Sequence, residues 1–291
     1  MLIVALALVV LAALVLRQRR ARIMRDITTS HRTLGPDGIV IGGEGFTLDA
    51  PGAPAVLLLH GGGDTPQTMR YLGDALRARG FHVEAPLLPG HGRTLRDFAR
   101  VTADDLTNAA RARYDVLRRS HGTVAIVGLS MGGAIAVQLA AEHPEIPALV
   151  LLAPYLAMPA RVLRAARWAW AWGPFLTAVR SGDGRSIRDP VERDRGLAYG
   201  VFTPAALRAL RETVRRANAA LSRVQAPTLV VNSRGDNRIH VNDAQRAFER
   251  LGARDKQLEW ITGAGHVITV DYGRDVVIAA TANWIERWIR S

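Results

Sequence analysis

Residues 123–144 read TVAIVGLSMGGAIAVQLAAEHP. The first seven, TVAIVGL (123–129), are apolar without strict alternation, the pattern of a strand buried on both faces. AIAVQLAAEHP (134–144) reads as a helix that must stop before Pro144. Between them GLSMGG (128–133) sets Ser130 between two glycines. A strand that passes straight into a helix needs a sharp turn. Gly128 and Gly132 carry no Cβ, so the two elements can approach closely and a strained serine backbone is tolerated; Gly133 gives further room. Short glycine–serine patterns arise often by chance, so the rest of the chain must supply what a reactive serine needs.

The same strand pattern recurs at AVLLLH (55–60), FHVEAPLL (81–88), ALVLLAP (148–154), TLVVNS (228–233) and QLEWIT (257–262). Helical patterns lie between these runs. TMRYLGDALRARG puts Met69, Leu72 and Leu76 on one face and stops at Gly80, and TADDLTNAARARYDVLRR begins with Thr102 as an N-cap. Strand–helix alternation predicts an α/β fold, a mostly parallel sheet with helices on both faces. Ligands then bind at the carboxyl ends of the strands, where Ser130 lies.

A serine hydroxyl is a weak nucleophile alone and needs a base, itself oriented by an acid. His266, in GAGHVITVD (263–271), directly follows the last strand, and glycines 263 and 265 let its loop turn back over the sheet. Asp236 follows the strand before, in NSRGDNRI (232–239), and is the expected acid. Asp271 is its nearest rival; only five residues beyond His266, it is read instead as supporting the loop or capping the next helix. An oxyanion hole needs two converging backbone N–H groups. The N–H of Met131, which opens the helix after Ser130, is one candidate. The N–H of Gly62, in the loop HGGGDTPQTM (60–69), is the other, against the plainer reading of Gly61 to Gly63 as a tight turn. LPGHGRT (88–94) reads as a further rim segment, with His91 structural.

These segments together resemble the carboxylesterase and monoacylglycerol-lipase branch of the α/β-hydrolase family, over roughly residues 54 to 290. The GHG loop and the GHVIT segment discriminate more than the serine motif does. The order Ser130, Asp236, His266 is the order of that family. The resemblance implies cleavage of carboxylic esters through an acyl-serine intermediate, without metal or organic cofactor. It casts Ser130 as nucleophile, His266 as base then acid, Asp236 as orienter, and Gly62 and Met131 as oxyanion donors. The chain departs from the family at Asn237-Arg238-Ile239, where members often carry apolar residues. The same fold hosts thioesterases and acyltransferases, and a non-catalytic hydrolase-like binding protein is the alternative of another class.

The resemblance is weakest between Ala153 and Pro227, where the strand rhythm breaks. A helical lid insertion is expected at about residues 155–225. MPARVLRAARWAWAWGPFL (158–176) holds Trp168, Trp170 and Trp172, half of the six tryptophans, beside Phe175 and Leu176. An acyl pocket needs an apolar cover, so the three tryptophans are candidate substrate contacts; packing within the lid, or contact with a membrane interface, are the other readings. PAALRALRETVRRANAALSRV (204–224) reads as a charged amphipathic helix returning to the core.

The amino terminus is a separate matter. Residues 2 to 16, LIVALALVVLAALVL, are all apolar, and RQRRAR (17–22) follows. As a helix that run spans about 22 Å against a hydrocarbon core of about 30 Å, a shortfall that snorkelling arginines and a thinned bilayer can bridge. No basic region precedes it, which argues against a cleaved signal. The expected organisation is an anchor with its basic flank (1–22), a tether and entry segment (23–52) with a short hairpin at the sheet edge, and a hydrolase domain (53–291). The positive-inside tendency puts that domain on the cytoplasmic side; export after signal cleavage is the alternative.

Composition excludes little else. Cysteine is absent from the 291 residues, ruling out disulfides and thiolate zinc sites. The formal charge of +12 is almost all arginine, with Lys256 the only lysine. With no zinc-finger spacing and no aromatic–basic RNA motif, no nucleic-acid partner is expected. The implied partner is a small acyl ester or monoacylglycerol.

Overall fold

The structure, a computed structural model, describes residues 2–30, 32–181 and 184–290. Among the described residues nine strands appear: β1 (Phe46–Leu48), β2 (Ala55–Leu59), β3 (His82–Ala85), β4 (Val124–Leu129), β5 (Leu149–Leu152), β6 (Val179–Arg180), β7 (Val201–Phe202), β8 (Thr228–Ser233) and β9 (Lys256–Ile261). The helices are α1 (Leu2–Thr29), α2 (Arg70–Ala78), α3 (Leu95–Phe98), α4 (Ala103–His121), α5 (Met131–Glu142), α6 (Ala160–Arg167), α7 (Ala169–Trp172), α8 (Pro190–Arg195), α9 (Pro204–Ala220), α10 (Val241–Glu249) and α11 (Arg274–Ile289).

Seven strands form one sheet in the order β1-β3-β2-β4-β5-β8-β9. All neighbours are parallel except β1, which pairs antiparallel with β3 at the edge. All six strands expected from the apolar runs are there. Their alternate residues feed two separate cores. Leu57, Leu59 and Ile126 face one that includes α4, α5 and α9, while Val56, Leu58 and Val127 face one that includes α2 and α11. Each such fully buried aliphatic side chain contributes about 1.5–3 kcal/mol, which fixes the register and points the carboxyl ends of the strands one way.

Local signals act as expected at several helix ends. Thr102 caps α4 in a reciprocal box with Asp105, and Thr94 does the same for α3 with Asp97. The expected hairpin before the sheet is reduced to the three-residue β1 and a single antiparallel bridge between Leu34 and Val40. Between β5 and β8 the chain inserts α6, α7, the small β6–β7 pair and α8. It then returns through α9, whose Leu207, Leu210 and Val214 are buried in the main core.

The amino terminus corrects the sequence reading. Among the described residues no helix is long and apolar enough to cross a membrane, which overturns the single amino-terminal anchor and the membrane localisation built on it. The physical reason is visible in α1. Its 28 residues are continuous, yet the apolar part ends at Leu16, and Arg17, Arg19, Arg20 and Arg22 follow within the same helix. The later turns of α1 lie against the rest of the protein. Met24 and Ile27 pack on the main core, and the buried Thr28 hydroxyl donates to the Met24 carbonyl (2.8 Å) and accepts from the Leu95 N–H (2.9 Å).

Candidate active site

Ser130 sits at the junction of β4 and α5 with φ 54° and ψ −114°. Only one other described non-glycine residue has positive φ, Ala153 (φ 41°), at the end of the adjacent β5. Strained backbone of this kind costs about 1–3 kcal/mol per residue and persists where surrounding structure enforces it. Here the enforcement is hydrogen bonding across strand ends: the Ser130 N–H donates to the Leu152 carbonyl (2.9 Å), and the Tyr155 N–H to the Ser130 carbonyl (3.0 Å). The flanking glycines are sterically required. A Cβ on Gly132 would overlap the Leu59 carbonyl oxygen, and one on Gly128 would overlap the Gly132 carbonyl.

The three residues picked from separate strand ends meet. His266 Nε2 lies 2.8 Å from Ser130 Oγ, and its Nδ1 lies 2.8 Å from Asp236 Oδ2. A carboxylate only accepts, so Nδ1 carries the proton and Nε2 is left to accept from the serine hydroxyl. The side chains of His266 and Asp236 are 4% and 2% exposed, so their pairing is shielded from water. Burial pushes the Asp236 carboxyl up. The charge and hydrogen bond of His266, with the N–H groups of Arg238 (2.7 Å) and Ile239 (3.0 Å), outweigh it and hold the group below its ordinary 3.8.

Gly62 lies against Met131: a Cβ on Gly62 would be 3.1 Å from Met131 Sδ and 3.4 Å from the Phe202 ring. Both residues line the same cavity as Ser130 and His266. The loop carrying Gly62 is held from below. His60, fully buried, meets the Gly61 carbonyl through Nδ1 (2.9 Å) and accepts from the Leu88 N–H through Nε2 (3.0 Å). Beneath it the rings of His60, His91, Phe98 and Tyr199 follow one another, the first two contacts edge-on and the last stacked, with centroids 5.2, 4.9 and 4.9 Å apart. Burial pushes His60 down to about 3 and His91 down to about 4, so both are neutral spacers.

Asp271 is the buried acceptor of four backbone N–H groups. Two, from Gly265 (2.6 Å) and Tyr272 (2.8 Å), belong to the His266 loop; two, from Arg188 (2.9 Å) and Asp189 (2.9 Å), belong to the insertion. It makes no contact with His266 comparable to that of Asp236. Arg238, the departure noted in the acid loop, reaches the insertion at Ser186 Oγ (2.8 Å) and the Ser181 carbonyl (2.6 Å). An apolar residue there could not make this tie.

The cavity over Ser130 measures about 1630 Å³. The tryptophans proposed to line it do not. Trp168 and Trp170 are 52% and 67% exposed, and their rings pack on each other at 5.9 Å. Trp172 turns its Nε1–H to the Ala165 carbonyl (2.8 Å) within the insertion. Phe175 and Leu176, a few residues on and themselves largely exposed, line the cavity instead, as does Asp64, a buried carboxylate the sequence reading passed over. Asp64 and Ser130 flank Gly61: their Cβ atoms lie 3.9 and 3.5 Å from where a Cβ on Gly61 would stand.

A strained serine elbow feeding a parallel sheet in this order is the mark of an α/β-hydrolase, and the chain has that fold. Residues 51–272 match the family described as "Serine aminopeptidase, S33", and the chain belongs to it. It is 29% identical over 240 residues to a thermostable monoacylglycerol lipase of a Bacillus species, covering 82% of this chain and 93% of that one. A carboxylesterase of Bacillus subtilis is 27% identical over 238 residues, at 81% and 94% coverage. A structure from a study of the metagenome-derived lipolytic enzymes LipS and LipT superimposes with a TM-score of 0.77 at 27% identity, covering 88% of this chain and all of the other.

Proposed function

We propose that the protein hydrolyses carboxylic esters of short- to medium-chain acyl groups, monoacylglycerols among them, through an acyl-serine intermediate on Ser130. The observation that carries this reading is the continuous hydrogen-bonded line from Ser130 Oγ through His266 to Asp236 in one large cavity. The named lipase and carboxylesterase relatives support the choice of an ester over other acyl substrates.

His266 Nε2 takes the hydroxyl proton as Ser130 Oγ attacks the ester carbonyl carbon. The resulting imidazolium donates through Nδ1 to Asp236, which stays ionised. The N–H groups of Gly62 and Met131 are the donors for the tetrahedral oxyanion; one such donor typically contributes about 3–4 kcal/mol. His266 then hands its proton to the leaving alkoxide, the acyl group stays on Ser130, and water repeats the sequence to release the acid.

The test is covalent labelling by a fluorophosphonate together with turnover of a series of p-nitrophenyl esters and monoacylglycerols. Wild-type protein should gain one phosphonyl mass on Ser130 and turn over the esters. Ser130→Ala should lose the adduct and nearly all turnover while melting at the wild-type temperature. Turnover near wild type in that variant would remove Ser130 as the nucleophile.

A further inference from the structure

Helix α1 does more than begin the chain. Leu16, Arg19, Arg20, Ile23 and Ile27 of α1, with Ser30 just past its end, line the cavity that holds Ser130 and His266. Apart from Arg19, which flanks them, these residues follow at spacings of four, three, four and three, those of a single helical stripe. The stripe runs roughly 21 Å along the helix axis, and isoleucines fill its third and fourth positions. Phe175 and Leu176 of the insertion, both largely exposed, line the same cavity. Arg22 and Asp26, which do not line the cavity, pair at 4.0 Å, and both are exposed.

The stripe is fixed in place from both sides. Thr28 ties α1 to the start of α3 through the Leu95 N–H. Arg32, just past the helix, donates to the Ile27 carbonyl (2.7 Å) at the helix end and to the Leu197 carbonyl (2.8 Å) of the insertion, and also hydrogen-bonds the Ala198 carbonyl. Its guanidinium lies 5.4 Å from the centre of the Tyr199 ring, the last ring of the row under the Gly62 loop. The clamp therefore holds one end of α1 to elements that frame Ser130.

We infer that the cavity-facing stripe of α1 is a wall of the substrate site, and that Ile23 and Ile27 set the length of alkyl chain the site accepts. This rests on the reading of Ser130 as the acylated residue. An acyl chain leaving Ser130 among the apolar side chains of the cavity, the isoleucines with Phe175 and Leu176, gains burial with each added methylene until the stripe turns polar at Arg20. The isoleucines are specificity-determining residues and take no part in bond making.

The chain has no cysteine of its own, so a single introduced thiol reports on one position. Ile23→Cys in the full-length protein is treated with a water-soluble thiol reagent, and the alkylation rate is followed by mass spectrometry. Three samples are compared: free protein, protein phosphonylated by a methyl fluorophosphonate, and protein phosphonylated by a decyl one. The decyl adduct should slow alkylation by about tenfold, because thiol reactivity follows access; the methyl adduct should leave it nearly unchanged. Arg22→Cys, outside the cavity, should react alike in all three. A decyl adduct that leaves Ile23→Cys as reactive as before overturns the inference. Failure of either probe to add mass at Ser130 would instead refute the serine assignment, and with it the wall. Ile23→Trp gives a second readout, lowering kcat/KM on decanoate esters about tenfold relative to acetate by displacing some two methylenes from the apolar wall. An equal loss on both esters with an unchanged melting temperature would refute it as well.

Discussion

Asp64 offers a test in which the sign and size of the effect come from the structure. The carboxyl is 6% exposed. Burial pushes it up to about 6, against the opposing pull of the Thr65 N–H (2.8 Å), the Thr68 hydroxyl and the charges of Arg238 and Arg32. In the unfolded chain the group titrates near its ordinary 3.8. Below pH 4 it is protonated in both states and costs nothing. Between pH 4 and 6 the unfolded chain releases the proton while the native protein retains it, so native stability falls as pH rises and levels off above 6. Two pH units correspond to about 3 kcal/mol. Asparagine keeps the shape and the acceptor for Thr65 N–H but cannot ionise. Asp64→Asn should therefore raise the melting temperature at pH 7.5 by roughly 5–10 °C and leave it unchanged at pH 4. Thermal scans by circular dichroism at the two pH values decide the matter. A shift of equal size at both, or destabilisation at pH 7.5, would show that the buried carboxylate is compensated and the reasoning wrong.

Asp236→Asn should lower kcat by about 10³–10⁴-fold with little change in KM, because the imidazolium loses its counter-charge and Nδ1 its fixed proton; steady-state kinetics on p-nitrophenyl butyrate would reveal an unchanged rate if another acid serves. His60 works in the opposite pH direction to Asp64. Its native value of about 3 lies below the ordinary 6.5, so the stability it protects is full above pH 6.5 and is lost as pH falls toward 3, up to about 5 kcal/mol. His60→Gln should flatten the acid limb of a urea-unfolding series, and an unaltered limb would place the acid sensitivity elsewhere. Trp168→Ala with Trp170→Ala should change stability by no more than about 0.5 kcal/mol, as exposed substitutions do, and should leave the acyl-length profile alone; a loss confined to long-chain esters would return those rings to the substrate path.

The elements that carry the chemistry were legible along the chain because each depends on near neighbours. An unbroken apolar run marks a strand covered on both faces wherever it occurs, and the Gly128 and Gly132 requirement is a clash within a few residues and one adjoining strand. The glycine–serine elbow, and the positions of Asp236 and His266 after later strands, nominated the three residues, since parallel strands deliver their carboxyl ends to one side; successive members lie 2.8 Å apart along one hydrogen-bonded line. The insertion was not legible in the same way. Its helices are short and joined by irregular turns, so no long pattern shows which side chains meet the cavity; the three tryptophans were the conspicuous apolar candidates, but Phe175 and Leu176 line the cavity.

Local pattern alone therefore determined the sheet, its order of chemistry and the residues at its strand ends. The tertiary structure decided everything that needs two distant segments at once. Asp271 gains its role only when residues 188 and 189 arrive beside residue 265. Asp64 becomes a costly group only when the cavity closes around it. Helix α1 shows the difference most plainly. Hydropathy along the chain singles out residues 2–16 and suggests a bilayer, whereas the stripe facing the cavity runs from Leu16 to Ser30 through a stretch rich in arginine. Burial is a property of what a face meets, and no window of sequence contains the partner that meets it.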